Sequence, residues 1–213
     1  MYTALLIVQL LLGNFVVGSY IWLAFFSNIT SENVKVFWAG LSPTNNRSIF
    51  FFWGFSMILT VASFLYMTYQ FIFKYDFVFV FNESFDENRQ FLLACYIIFL
   101  ISATAWSPLT MYSIRNGGSM KILVFISLFL TAFSSVGFAV FIFNTAVNTV
   151  ESTTFTLLKV GVVIIVFHHV VLDFFYWSYT FKPESAAVLL SIDNRPPLPA
   201  YVEERKRGDL SFI

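Results

Sequence analysis

The sequence predicts an all-α fold, a polytopic bundle of five transmembrane helices with a short cytosolic tail, and three observations carry that prediction. Charged residues make up 11% of the 213 residues and apolar ones 58%, with a mean hydropathy of +0.77, whereas a soluble domain carries roughly 25% charge. Apolar runs recur five times at lengths near the 20 residues that a helix needs to cross about 30 Å of hydrocarbon. These runs are continuous and lack the dyad alternation of a membrane β-barrel.

Taken in order, the spans fall at 3–26, 48–73, 91–114, 122–147 and 155–181, so residues 1–182 form the bundle and 183–213 the tail. The first has the apolar character of a signal peptide. It lacks a basic leading segment and runs past the usual 7–15-residue apolar core, so a mature helix is expected. The second places Ser56, Thr60, Ser63, Met67 and Gln70 along one stripe. Helices in lipid associate through small and weakly polar residues, so this stripe should face inward as interhelical contact. In the third span, Pro108 removes a backbone donor from the carbonyl of Thr104 and marks a kink or hinge, with Trp106 just before it. The fourth repeats the stripe with Ser127, Thr131, Ser134, Ser135, Gly137 and Thr145. Between the third and fourth lies RNGGSMK, whose paired glycines allow a tight reversal, so these two spans should be antiparallel neighbours.

Basic residues set the orientation. One side receives Lys35, Arg47, Arg115, Lys121, Lys182, Arg195, Arg205, Lys206 and Arg207; the other receives Lys74 and Arg89 among Asp76, Glu83, Asp86 and Glu87. The positive-inside rule places the C-terminus in the cytosol and the N-terminus outside. Of the glycosylation triplets at Asn28, Asn46 and Asn82, only Asn82 then faces outward. YDFVFVF at 75–81 is too short to cross and reads as interfacial.

The last span alone carries ionisable residues at membrane depth: His168, His169 and Asp173. A central Asp costs about 2.5–3.5 kcal/mol on insertion scales, so such groups face the interior, find partners and frequently mark a functional site. On an α-helix His169 and Asp173 share a face, while His168 points about 100° away toward another neighbour. No metal site is expected, because the other spans offer only Cys95 as a further ligand. No cofactor is expected either: adjacent histidines on one helix do not suit a bis-histidine haem. No sequence-local nucleophile and base stand together, so an enzyme is the least favoured class. Imidazole beside carboxylate suits proton-linked movement or ligand binding, and a packing role is the plain alternative.

In the tail, Pro196, Pro197, Leu198, Pro199 and Tyr201 form a polyproline-type segment with an LPxY pattern. Ser211, Phe212 and Ile213 have the form of a PDZ ligand, and Arg205 to Arg207 read as orientation charges or a retention signal. The leading functional expectation is a non-enzymatic assembly or scaffolding subunit whose partners are the lipid bilayer and a cytosolic protein recruited by the tail, with homo- or hetero-oligomers compatible. The second is a small proton-linked transporter or channel component using His168, His169 and Asp173, and a membrane-embedded enzyme is third. Balanced charge, twelve basic against twelve acidic residues, gives no argument for nucleic acid.

Overall fold

The structure, a computed structural model, describes residues 2–26, 37–38, 46–74, 85–144 and 152–182. It is all-helical among them, with five helices long and apolar enough to span a membrane. They are α1 (Tyr2–Phe26), α2 (Arg47–Tyr69, extended by a π-helical turn Gln70–Lys74), α3 (Phe85–Arg115), α4 (Lys121–Phe143) and α5 (Ser152–Val166). The last helix continues without a break into an eleven-residue π-helical segment, Phe167–Trp177, and a closing α-turn, Ser178–Thr180. Residues 183–213 and Asn82 lie outside the described residues, so the tail motif from Pro196 to Tyr201 and the glycosylation triplet do too.

The helices extend beyond or stop short of the apolar runs at two ends. α3 starts at Phe85, where the apolar run has not yet begun. α4 stops at Phe143, and Asn144 turns back by donating its side-chain amide to the Val140 carbonyl at 2.7 Å.

α3 and α4 form the most extensive helix pair, joined by the turn Asn116–Met120. Gly117 and Gly118 take φ of 60° and 93° there, the left-handed region that favours glycine, and the Gly118 N–H closes on the Ser113 carbonyl at 2.8 Å. Close approach is permitted by Gly137 of α4, which lies against Cys95 of α3. α1 packs along α3, and α2 along α5, while α4 also packs on both halves of the last helix. Among the described residues α1 meets α2 chiefly at its π-helical turn, Gln70–Lys74, and does not pack along Arg47–Tyr69.

Polar stripes do face inward. Ser56, Thr60, Met67 and Gln70 of α2 and Ser127, Thr131, Ser134, Ser135 and Gly137 of α4 are all buried. Most of the α4 hydroxyls nonetheless bond to their own helix, as Ser134 Oγ does to the Leu130 carbonyl at 2.7 Å and Ser135 Oγ to Ala132 at 2.7 Å. Side-chain bonds between helices are few and well placed: Ser102 to Thr131 at 2.8 Å, Thr68 to Tyr96 at 2.7 Å, and His168 to Ser56 at 3.1 Å. An aromatic and aliphatic core around Phe64, Tyr96, Phe99 and Phe138 fills one half of the bundle.

Candidate functional site: a polar cavity on the last helix

The π-helical segment decides the geometry of the ionisable cluster. Bonding from i to i+5 gives about 4.4 residues per turn, so each residue advances roughly 82° rather than 100°. His168, Asp173 and His169 then fall in that angular order within an arc of roughly 80°, where α-helical geometry would spread them over about 140°. The α-helical expectation for His168 is therefore revised. Its Nδ1 does reach a different helix, at Ser56, but its Nε2 lies 3.5 Å from Asp173 Oδ1, while His169 Nδ1 lies 3.3 Å from Asp173 Oδ2. Asp173 sits between two imidazoles.

His168 is buried against Trp53, with ring centroids 5.5 Å apart, and His169 against Phe99 at 5.0 Å. The cluster forms part of the wall of a cavity of about 240 Å³ to which all five long helices contribute. One water requires about 10–15 Å³ by such a measure, so this space admits a far larger group. Gln9, Gly13 and Tyr20 of α1 face it, as do Trp53 and Thr60 of α2, Phe99 and Trp106 of α3, and Thr131 of α4.

The wall is mostly apolar with a few polar atoms, and several of those make no hydrogen bond. Among the described residues, eight buried side-chain nitrogen or oxygen atoms make no hydrogen bond, and five of them belong to residues lining this one cavity: Gln9 Oε1, Trp53 Nε1, Thr60 Oγ1, Trp106 Nε1 and His169 Nδ1. Leaving a buried polar group unpaired costs about 1–3 kcal/mol. Their concentration in one cavity, rather than dispersion through the bundle, identifies a place where polar contacts are available to a bound molecule.

Toward Arg47, Arg115 and Lys121, the lining residues Trp53 and Trp106 pack against further aromatic rings. Trp38 meets Trp53 at 4.9 Å, Phe37 meets Trp106 at 5.0 Å, and Trp177 stacks on Phe181 at 4.1 Å. Trp177 Nε1 donates to the Phe37 carbonyl at 3.0 Å, tying the segment before α2 to the last helix. At the opposite end Phe64 stacks on Phe99 at 5.0 Å, and both pack on Phe138. Sideways the cavity opens where α1 and α2 are not packed together: its lining residues Val17, Val61 and Leu65 are more than half exposed.

No family model, curated protein or solved structure matches this chain. The site therefore stands on its own geometry.

Of the residues singled out in the sequence, His168, His169 and Asp173 come together as described. Pro108 lies on an exposed face of α3, within a helix that continues to Arg115. Its neighbours point inward: Trp106 lines the cavity, and Ser107 Oγ donates to the Ser19 carbonyl of α1 at 3.4 Å. Tyr20 and Trp53 were not legible as site residues, whereas Gln9 and Gly13 stood out as a polar and small stripe of the first span. Thr60 and Ser56 carried a signal, as members of the inward polar stripe, but nothing in that stripe separates a cavity wall from interhelical packing.

Proposed function

We propose that this protein is a multi-pass membrane protein, N-terminus outside and C-terminus cytosolic, that binds a small amphiphile within the bilayer. Its polar head contacts His168, His169 and Asp173, and its apolar chain leaves between α1 and α2. The reading develops the transporter or channel-component expectation. The observation that carries it is the gathering of five buried polar atoms that make no well-formed hydrogen bond, with Trp53 and His169 reaching only the Asp173 carboxylate, around one cavity that opens sideways between exposed apolar residues. Because both donors (the Trp53 and Trp106 indoles) and acceptors (Gln9 Oε1, the Asp173 carboxylate) face the cavity, a hydroxyl head that can do both fits best. Proton linkage follows from the same contact, since a head group bonded to Asp173 competes with the imidazoles for it.

A brominated long-chain alcohol tests this reading, because bromine quenches the tryptophans that line the cavity. With the full chain in nanodiscs, quenching should contain a saturable component that Val17→Trp at the lateral opening reduces. Quenching that rises only in proportion to the alcohol dissolved in the lipid would sink the proposal. The assembly reading rests on the tail at 183–213 and remains a separate proposal, addressed by truncation.

A further inference from the structure

We propose that His168, His169 and Asp173 form a three-ligand site for a divalent transition metal of the zinc type, with its fourth position facing the cavity. The other spans offer only Cys95 as a further ligand, which spoke against a metal in the sequence; the π-helical segment changes the question by bringing three ligand groups from one helix to one point.

Spacing favours coordination over direct hydrogen bonding. Nitrogen and oxygen ligands at about 2.0–2.1 Å from a tetrahedral zinc stand about 3.3 Å from one another. The observed separations are 3.5 Å from His168 Nε2 to Asp173 Oδ1 and 3.3 Å from His169 Nδ1 to Asp173 Oδ2, near that edge length but to different oxygens, so the carboxylate must turn for one oxygen to serve both, and the His169 contact forms no hydrogen bond. The three ligand atoms all lie within 4.8 Å of one another, so the remaining edge closes by side-chain rotation. Cys95 is not part of the group.

The surroundings match the requirements of such a centre. A metal-ligating histidine usually donates its other ring N–H to a fixed acceptor, which sets the tautomer and the ring orientation. With Nε2 of His168 directed to the metal, Nδ1 carries the proton and donates to Ser56 Oγ at 3.1 Å. His168 is 2% exposed, and its imidazole is held between this bond and the face of Trp53. Two imidazoles and one carboxylate leave a divalent ion with one net positive charge and an open coordination position, which an oxygen ligand would complete.

The site goes beyond the amphiphile reading and does not rest on it, since metal can be loaded and measured with no amphiphile present. Cobalt(II) serves as the probe on the full-length protein, stripped with chelator and titrated in detergent. One cobalt per chain is expected, with the visible bands of a four-coordinate nitrogen and oxygen site. Stoichiometric binding should be lost in His169→Ala and in Asp173→Asn, and Ser56→Ala should weaken it by about 10–100-fold. X-ray absorption of the wild-type complex should count two imidazoles per metal, a readout that needs no variant to fold. Failure of the folded wild-type protein to bind stoichiometrically, unchanged binding in both ligand variants, or a spectrum with fewer than two imidazoles would each overturn the site.

Discussion

Gly137→Ala places a methyl group where α3 and α4 touch most closely, and its effect can be worked from the contact itself. A Cβ built on Gly137 would stand 2.5 Å from Cys95 Sγ, 3.7 Å from Cys95 Cβ and 3.5 Å from Phe91 Cζ. Nonbonded carbon contacts are optimal at about 3.5–4.0 Å, so the Phe91 contact is ordinary and the clash with sulfur exceeds an ångström. Both sites are buried. Cys95 has few escapes, because one of its three rotamers is disfavoured on a helix. Overpacking of this kind costs about 1–3 kcal/mol, equivalent to roughly a 5–150-fold loss in the folding equilibrium at about 1.4 kcal/mol per tenfold. Removing the sulfur should relieve most of it: Cys95→Ala combined with Gly137→Ala should be more stable than the sum of the two single changes by about 1 kcal/mol or more. Equilibrium unfolding in mixed micelles measures all four corners of the cycle. Additivity within about 0.5 kcal/mol, or a Gly137→Ala protein as stable as wild type, would refute the α3–α4 contact as described.

Other consequences can be read at single positions. Ser102→Ala and Thr131→Ala remove the two ends of one interhelical bond; a double-mutant cycle should give a coupling of about 0.6 kcal/mol and no more than about 1.7 kcal/mol, measured by the same unfolding assay. Trp177→Phe keeps the stacked ring but loses the donor to the Phe37 carbonyl, which should cost about 0.5–1.5 kcal/mol and quicken proteolysis near residue 37. Deleting 195–213 and substituting Asp173→Asn separate the two functional readings: the amphiphile site predicts that only Asp173→Asn alters alcohol binding and its pH dependence, whereas a tail-borne assembly function predicts loss on truncation alone, read by recovery of bound cytosolic partners.

Hydropathy made the long helices legible because crossing a bilayer demands length and apolar character together, and both are local properties of sequence. The RNGGSMK turn was equally readable, since two consecutive glycines announce the left-handed backbone that Gly117 and Gly118 adopt. Polar stripes gave the inward faces of α2 and α4 for the same local reason. The arrangement of His168, His169 and Asp173 was legible only as a set of residues. FHHVVLDFFYW has no punctuation that distinguishes i+5 from i+4 bonding, and this difference moves Asp173 from the edge of the cluster to its centre, between His168 and His169. The cavity was not legible at all, because it depends on α1 packing along α3 rather than along Arg47–Tyr69 of α2, a choice made between helices rather than within one.

Photolabelling with a diazirine-bearing octanol, with the adducts mapped by mass spectrometry, tests most directly the claim that a membrane amphiphile occupies this cavity. Adducts should concentrate on residues that line it, such as Tyr20, Trp53 and His169, and fall when unlabelled octanol competes. Adducts spread over outward faces such as Phe55, Phe133 and Phe175, insensitive to competition, would contradict it.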